Sequence, residues 1–156
     1  MASLRNYKPL KMTAETAEDL KVFSASFQDA VMKVGDFAYL KQARRFAFVA
    51  NRFVWECATA RGHGPFARVR AGAHFDDVMA VRERNLRLEA RDAVVELLAI
   101  RFEEGEDGGG LIRLDLAGGG AIELTVESLN AAMRDMSEPW RTRSRPDHEA
   151  YRHGGD

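Results

Sequence analysis

Residues able to do chemistry are few in this chain of 156 residues, and they fall mainly in two places. The first is Ala-His-Phe-Asp-Asp at 73–77, where His74, Asp76 and Asp77 come nearest to a metal-ligating set. On a strand, His74 and Asp76 would share one face and Asp77 the other, because successive side chains alternate. Two ligands do not close a metal site. The other histidines stand in a glycine-containing loop (His63) and in the polar C-terminal stretch (His148, His153). The competing reading is a turn in which Asp76 caps backbone donors. No metal and no cofactor is assigned.

The second place is the stretch from Val31 to Glu56, on which the rest of the chain is organised. Asn51, Arg52 and Trp55 lie on its second apolar run, opposite Asp36 and Tyr39 on its first. Asn51 interrupts an apolar strand, and a buried polar side chain there needs a partner. One reading is an internal hydrogen bond to a neighbouring strand or helix end. The other is a binding surface, with Arg52 as a fork for a carboxylate or other anion and Trp55 as an apolar platform. Arg44 and Arg45, with Arg61, Arg68 and Arg70, either extend a basic patch there or form a scattered solvated surface.

The remaining candidates fall away. Cys57 is the only cysteine, so no disulfide forms within the chain, and no base stands at a recognisable spacing. It reads as a structural thiol. The glycine runs 108–110 and 118–120 lack the Gly-Lys-Ser/Thr ending and the strand-to-helix setting of a phosphate loop, and read as turns between strands.

The elements that would position these residues follow from hydrophobic period. VMKVGDFAYL and RFAFVANRFVWE flank a short basic break and predict a β-hairpin, with Gly35 at a bend. The second run is apolar on both faces at its start, which predicts a central strand covered on both sides. Before it, Leu20, Phe23, Phe27 and Ala30 or Val31 form one stripe of a helix capped by Thr13 or Thr16. FARVRAG and HFDDVMAVRERNL predict one strand or two, broken around Gly72. Ala93–Glu103 reads as a strand. LIRLDLA and AIELTV form a tight hairpin around Gly118–Gly120, with Arg113, Asp115 and Glu123 facing water. Leu129, Ala132, Met133 and Met136 then repeat at helical spacing, which predicts a second amphipathic helix ended by Pro139. The division expected is an N-terminal segment at 1–12, a single α+β domain at 13–140 and a flexible polar tail at 141–156.

Composition narrows the class. A net charge of −1 supplies no field to recruit nucleic acid or an anionic membrane. No apolar run reaches membrane-spanning length, and the N-terminus lacks a signal-peptide core, so a cytoplasmic protein is expected.

Blocks such as KVGDFAYL, RFAFVANRFVWE, LLAIRFE and GGGAIELTVE resemble a small bacterial domain-of-unknown-function family over about Leu10 to Pro146. No activity accompanies that resemblance, so no catalytic residue is carried over. The order of strands with a closing amphipathic helix is similar to a pleckstrin-homology-type roll, in which the last helix plugs a bent barrel. The expected fold is therefore α+β, mainly antiparallel, rolled or open. Without an assembled acid–base, nucleophile or metal set, the first functional reading is a non-catalytic binding or adaptor module for a protein or small ligand. A homodimer through an exposed strand edge is open to it. The alternative is a small enzyme or ligand-dependent regulator around Asp36, Asn51, Arg52 and His74.

Overall fold

Alternation of apolar and polar side chains decides most of this architecture. A computed structural model describes residues 7–57 and 66–142. The elements run β1 (Lys11–Ala14), α1 (Ala17–Ser26), β2 (Ala30–Lys33), β3 (Phe37–Leu40), β4 (Arg45–Phe53), β5 (Phe66–Phe75) and β6 (Val78–Arg84). They continue through β7 (Val94–Glu104), β8 (Gly110–Leu116), β9 (Ala121–Val126), β10 (Ala131–Asp135) and β11 (Trp140–Thr142). The strands make one antiparallel sheet in the order β1-β10-β5-β4-β2-β7-β8-β9-β6. In addition, β3 pairs with β4, and β11 pairs with the start of β5.

The expected hairpin is present, with Phe37 opposite Phe48 and Tyr39 opposite Phe46. Its first run is broken by a single 3-10 turn at Val34–Asp36, where the Gly35 amide donates to the Arg91 carbonyl at 2.8 Å. The Gly118–Gly120 hairpin also forms. Gly118 and Gly119 take φ of +88° and +93°, a region where a side chain would be strained. β5 runs unbroken through Gly72, and the interruption comes at Asp76 and Asp77 instead.

Helix α1 is set by its first turn. The Thr16 hydroxyl accepts from the Asp19 amide at 3.1 Å, while the Asp19 carboxylate accepts from the Glu15 and Thr16 amides. Leu20 and Phe23 face the core as expected, but the helix ends at Ser26 and Ala30 already belongs to β2. Asp29, at φ +64°, makes that turn. Phe23, Phe27, Phe48 and Phe75 meet with ring centroids 5.1–6.4 Å apart and form the aromatic centre of the core. Such contacts add to what burial of the rings already contributes.

Three expectations are corrected. Residues 131–135 form β10, not a second helix, because β1 and β5 present open edges on either side of it. The sheet is not closed into a barrel: its terminal strands β1 and β6 do not pair, and among the described residues no helix follows β10 to plug an open end as a pleckstrin-homology-type roll requires. Glu123 does not face water. It is 9% exposed and receives hydrogen bonds from Arg84 and Arg113 at 2.9 and 2.6 Å. Among the described residues, no helix is long and apolar enough to cross a membrane.

Helix α1 also shields part of β7, where the Ser24 hydroxyl accepts from the Ile100 amide at 2.8 Å. Ser24→Ala leaves that amide without its acceptor beside the core. The expected cost is about 1–3 kcal/mol in urea unfolding, the range for an unsatisfied buried donor. A change within ~0.5 kcal/mol would mean that water replaces the hydroxyl.

Candidate functional site

The residues singled out on the hairpin lie on different faces of the sheet. Register explains the split. In β4, Phe46, Phe48, Ala50 and Arg52 point to the core, while Ala47, Val49 and Asn51 stand on the opposite face, half-exposed. That face is therefore not covered, although β4 is central as expected.

Arg52 is wholly buried, with 0% of its side chain exposed. Its Nε and Nη2 donate to Asp135 Oδ1 and Oδ2, both at 2.8 Å. Its Nη1 and Nη2 donate to the two carboxylate oxygens of Glu56 at 3.1 and 2.8 Å. Asp135, its side chain 1% exposed, also accepts from the Tyr7 hydroxyl at 2.6 Å and the Leu10 amide at 2.8 Å. Burial alone would raise the Asp135 carboxyl. The Arg52, Tyr7 and Leu10 donors outweigh it and hold the group below the usual carboxylate range. Burial likewise opposes the Arg52 charge, and its two carboxylates more than offset that, so the guanidinium stays protonated. Tyr7 moves upward, first through burial and then through its bond to Asp135.

Its neighbours in sequence go elsewhere. Asn51 accepts from Arg70 Nη1 at 3.4 Å on the open face. Trp55 donates through Nε1 to the Gln28 carbonyl at 3.2 Å and packs edge-on against Phe53. Asp36 accepts the Lys33 amide at 3.1 Å, and the Tyr39 hydroxyl donates to the Val78 carbonyl at 3.0 Å. These five residues do not converge. The arginines named with them are also dispersed: Arg44 pairs with Glu127, Arg45 with Asp76, and Arg68 donates to the Asn51 and Asp29 carbonyls. Arg61, His63, His148 and His153 lie outside the described residues, as does the side chain of Cys57.

His74 and Asp76 do approach one another, at 3.5 Å between Nδ1 and Oδ2. Arg45 grips the same carboxylate, with Nε at 2.7 Å and Nη2 at 3.3 Å. Asp76 thus holds a guanidinium rather than backbone donors. Burial first, and then the Arg45 charge, push the His74 imidazole below its ordinary value against the pull of Asp76. Asp77 is turned away, at φ +60°, and accepts from the Ser128 hydroxyl at 2.8 Å. Among the described residues, no three His, Cys, Asp or Glu side chains cluster so as to hold a metal.

His74 belongs to a site that local sequence does not announce. On the face away from the core, two cross-strand rows lie side by side over β4, β5, β10 and β1. One is Ala47, His74, Ala132 and Thr13; the other is Val49, Gly72, Arg134 and Lys11. Together they floor a groove of about 680 Å³, bordered also by Leu40 and Arg45. The floor combines the small residues Thr13, Ala47, Val49, Gly72 and Ala132 with His74 between two of them. Lys11 and Arg134 stand at one side and Arg45 at the other, and no carboxylate is among the lining residues. The volume lies within the range of small-molecule sites.

The family model described as "Protein of unknown function (DUF2948)" matches residues 10–148, which include every strand of both rows. The chain belongs to this family. No curated protein and no solved structure matches it. In this DUF2948 chain, then, the chemistry of the groove has to be read from its own side chains.

The buried cage generates two expected outcomes. Arg52→Met leaves Asp135 charged without its counter-ion and should cost about 3–5 kcal/mol in urea unfolding. Arg52→Lys should recover only part of this, since an ammonium cannot fork to two carboxylates. The pH dependence has a definite sign. Because the folded Asp135 pKa is depressed, its contribution is complete above the unfolded carboxylate value near ~4 and is lost as pH falls through the lower folded value. Thermal midpoints should therefore fall on acidification below about pH 4, and Asp135→Asn should flatten that acid limb. An unchanged limb would assign the acid loss to other carboxylates.

Proposed function

We propose that this protein is a binding module that takes a small organic ligand in the groove across β4, β5, β10 and β1. The observation that carries this reading is the composition of the groove. An open sheet face is expected to be polar, yet here alanines, a valine and a glycine line a concavity flanked by cations without acids. Small side chains on four adjacent strands leave room that larger ones would fill. The reading keeps the expectation of a non-catalytic module and moves its site from Asp36, Tyr39, Asn51, Arg52 and Trp55 to the opposite side of β4, where only Asn51 borders it.

The alternative of a small enzyme around Asp36, Asn51, Arg52 and His74 draws no support from their placement. Arg52 is closed off in its ion pairs, and the other three occupy separate positions. The terminal strands β1 and β6 are the edges that self-association would use; along β6, Arg82, Glu83 and Arg84 lie exposed, and charged side chains there oppose edge pairing.

The test is a thermal-shift screen of small organic compounds against the protein and an Ala132→Trp variant that fills the groove. A ligand at 100 times its Kd stabilises by about 2.7 kcal/mol, or roughly 5–10 °C in Tm for a chain of this size. Compounds that raise the midpoint of the native chain and lose that effect in Ala132→Trp support the groove. Compounds that act equally on both place the site elsewhere.

A further inference from the structure

We infer that the groove takes an organic anion, with its carboxylate or phosphate head between Lys11 and Arg134 and a flat apolar body lying over Ala132, His74 and Ala47. This rests on the groove being the binding site. It adds what the ligand must be.

The argument begins with a conflict in the sheet. Lys11 and Arg134 are directly opposed across β1 and β10, and both are exposed. Like charges in that position destabilise strand pairing. Neither has an ion-pair partner among the described residues.

The same protein contains a second such pair, and there the conflict is resolved. Arg101 and Arg113 are opposed across β7 and β8. Asp115 lies two residues along from Arg113, and its carboxylate accepts from Arg101 Nε at 2.7 Å and from Arg113 Nε at 2.8 Å. One carboxylate bridges two cations. Around Lys11 and Arg134, the positions two residues along each strand hold Pro9, Thr13, Ala132 and Met136, none of them an acid. The bridging anion that Asp115 supplies at one pair has no counterpart at the other among the described residues, and that other pair stands on the lip of a groove.

The groove then sets the shape of what is attached to the anion. Four strands at about 4.8 Å spacing place β4 roughly 14 Å from β1. Beside the Lys11–Arg134 pair stand Thr13 and Ala132, and from Ala132 the row runs over His74 to Ala47. A flat ring system fits such a surface, where a bulky aliphatic group would stand clear of it. The Met136 sulfur takes the place over Gly72, only 2.8 Å from where a β-carbon would be, so it bounds the ring on that side. A flexible thioether there can close on the edge of a ring. Arg45 is already engaged by Asp76, which leaves Lys11 and Arg134 as the cations available to the head.

Four probes of one shape test this by calorimetry with the full chain: 2-naphthoate, 2-naphthyl phosphate, neutral 2-naphthol and 2-naphthylmethylammonium. Expected are tenfold or greater preference for an anion over naphthol, and the weakest binding for the ammonium. A Lys11→Gln/Arg134→Gln variant, altered only at exposed positions, should bind the anions no better than naphthol while its naphthol affinity stays unchanged. Whichever anion binds tighter identifies the head group, and either supports the inference. Equal affinity for naphthol and both anions would overturn the anion inference while leaving the groove as a binding site. If no probe binds, or if Ala132→Trp leaves naphthoate affinity unchanged, the groove reading falls and this inference with it.

Discussion

A guanidinium with no exposed surface sits at one end of a largely apolar core, and the arrangement of the first, fourth and tenth strands depends on it. Arg52 comes from β4, Asp135 from the end of β10, and Asp135 in turn holds Leu10 and Tyr7 just ahead of β1. A buried charge is tolerated only when its partners satisfy it, so these bonds form together or the cage fails. Replacing such a network by apolar side chains is often neutral for stability. What the cage supplies here is register. β10 is short and bounded by turns, and Asp135 can meet Arg52 only when Met133 and Ala131 also face the core.

Fixing register on the inner face fixes the outer face as well. Side chains alternate along a strand, so a shift of one residue would exchange Ala132 and Arg134 with Met133 and Asp135. The groove is thus the reverse side of the ion-pair cage. Lys11 and Thr13 reach it from the edge strand, which the Leu10–Asp135 bond anchors at its start. A ligand held there would contact β1 directly, and its binding would be coupled to the docking of the N-terminal segment.

Much of the fold was legible because its signals are local. Thr16 with Asp19, the Gly118–Gly120 turn and the apolar run of β7 each carry their own conformational reason within a few residues. The stretch 129–136 misled for an equally physical reason. Leu129, Ala132, Met133 and Met136 fit a helical stripe, and Ala, Met, Leu and Arg all favour helices. The same residues also alternate as a strand, with Ala131, Met133 and Asp135 inward. Alanine suits either side, so period alone does not choose. Two open strand edges did.

Arg52 shows the same limit at the level of the site. The sequence singled out Asn51 as the polar residue in need of a partner and read Arg52 as a fork for an anion on a binding surface. Arg52 is instead the residue that is buried, and its fork closes on carboxylates of the chain itself. Its partner Asp135 stands 83 residues away, and only the tertiary structure joined them. The groove was less legible still, since Thr13, Ala47, His74 and Ala132 are ordinary residues until register sets them in one row. The strands of the two hairpins, the capped helix and the apolar composition of the core were written locally in the chain, because hydrophobic period and turn chemistry act over short range. Tertiary structure decided the fate of residues 131–135, the burial of Arg52 and the existence of the groove. Each of those depends on which strands lie side by side, and that is settled by long-range pairing rather than by any local pattern.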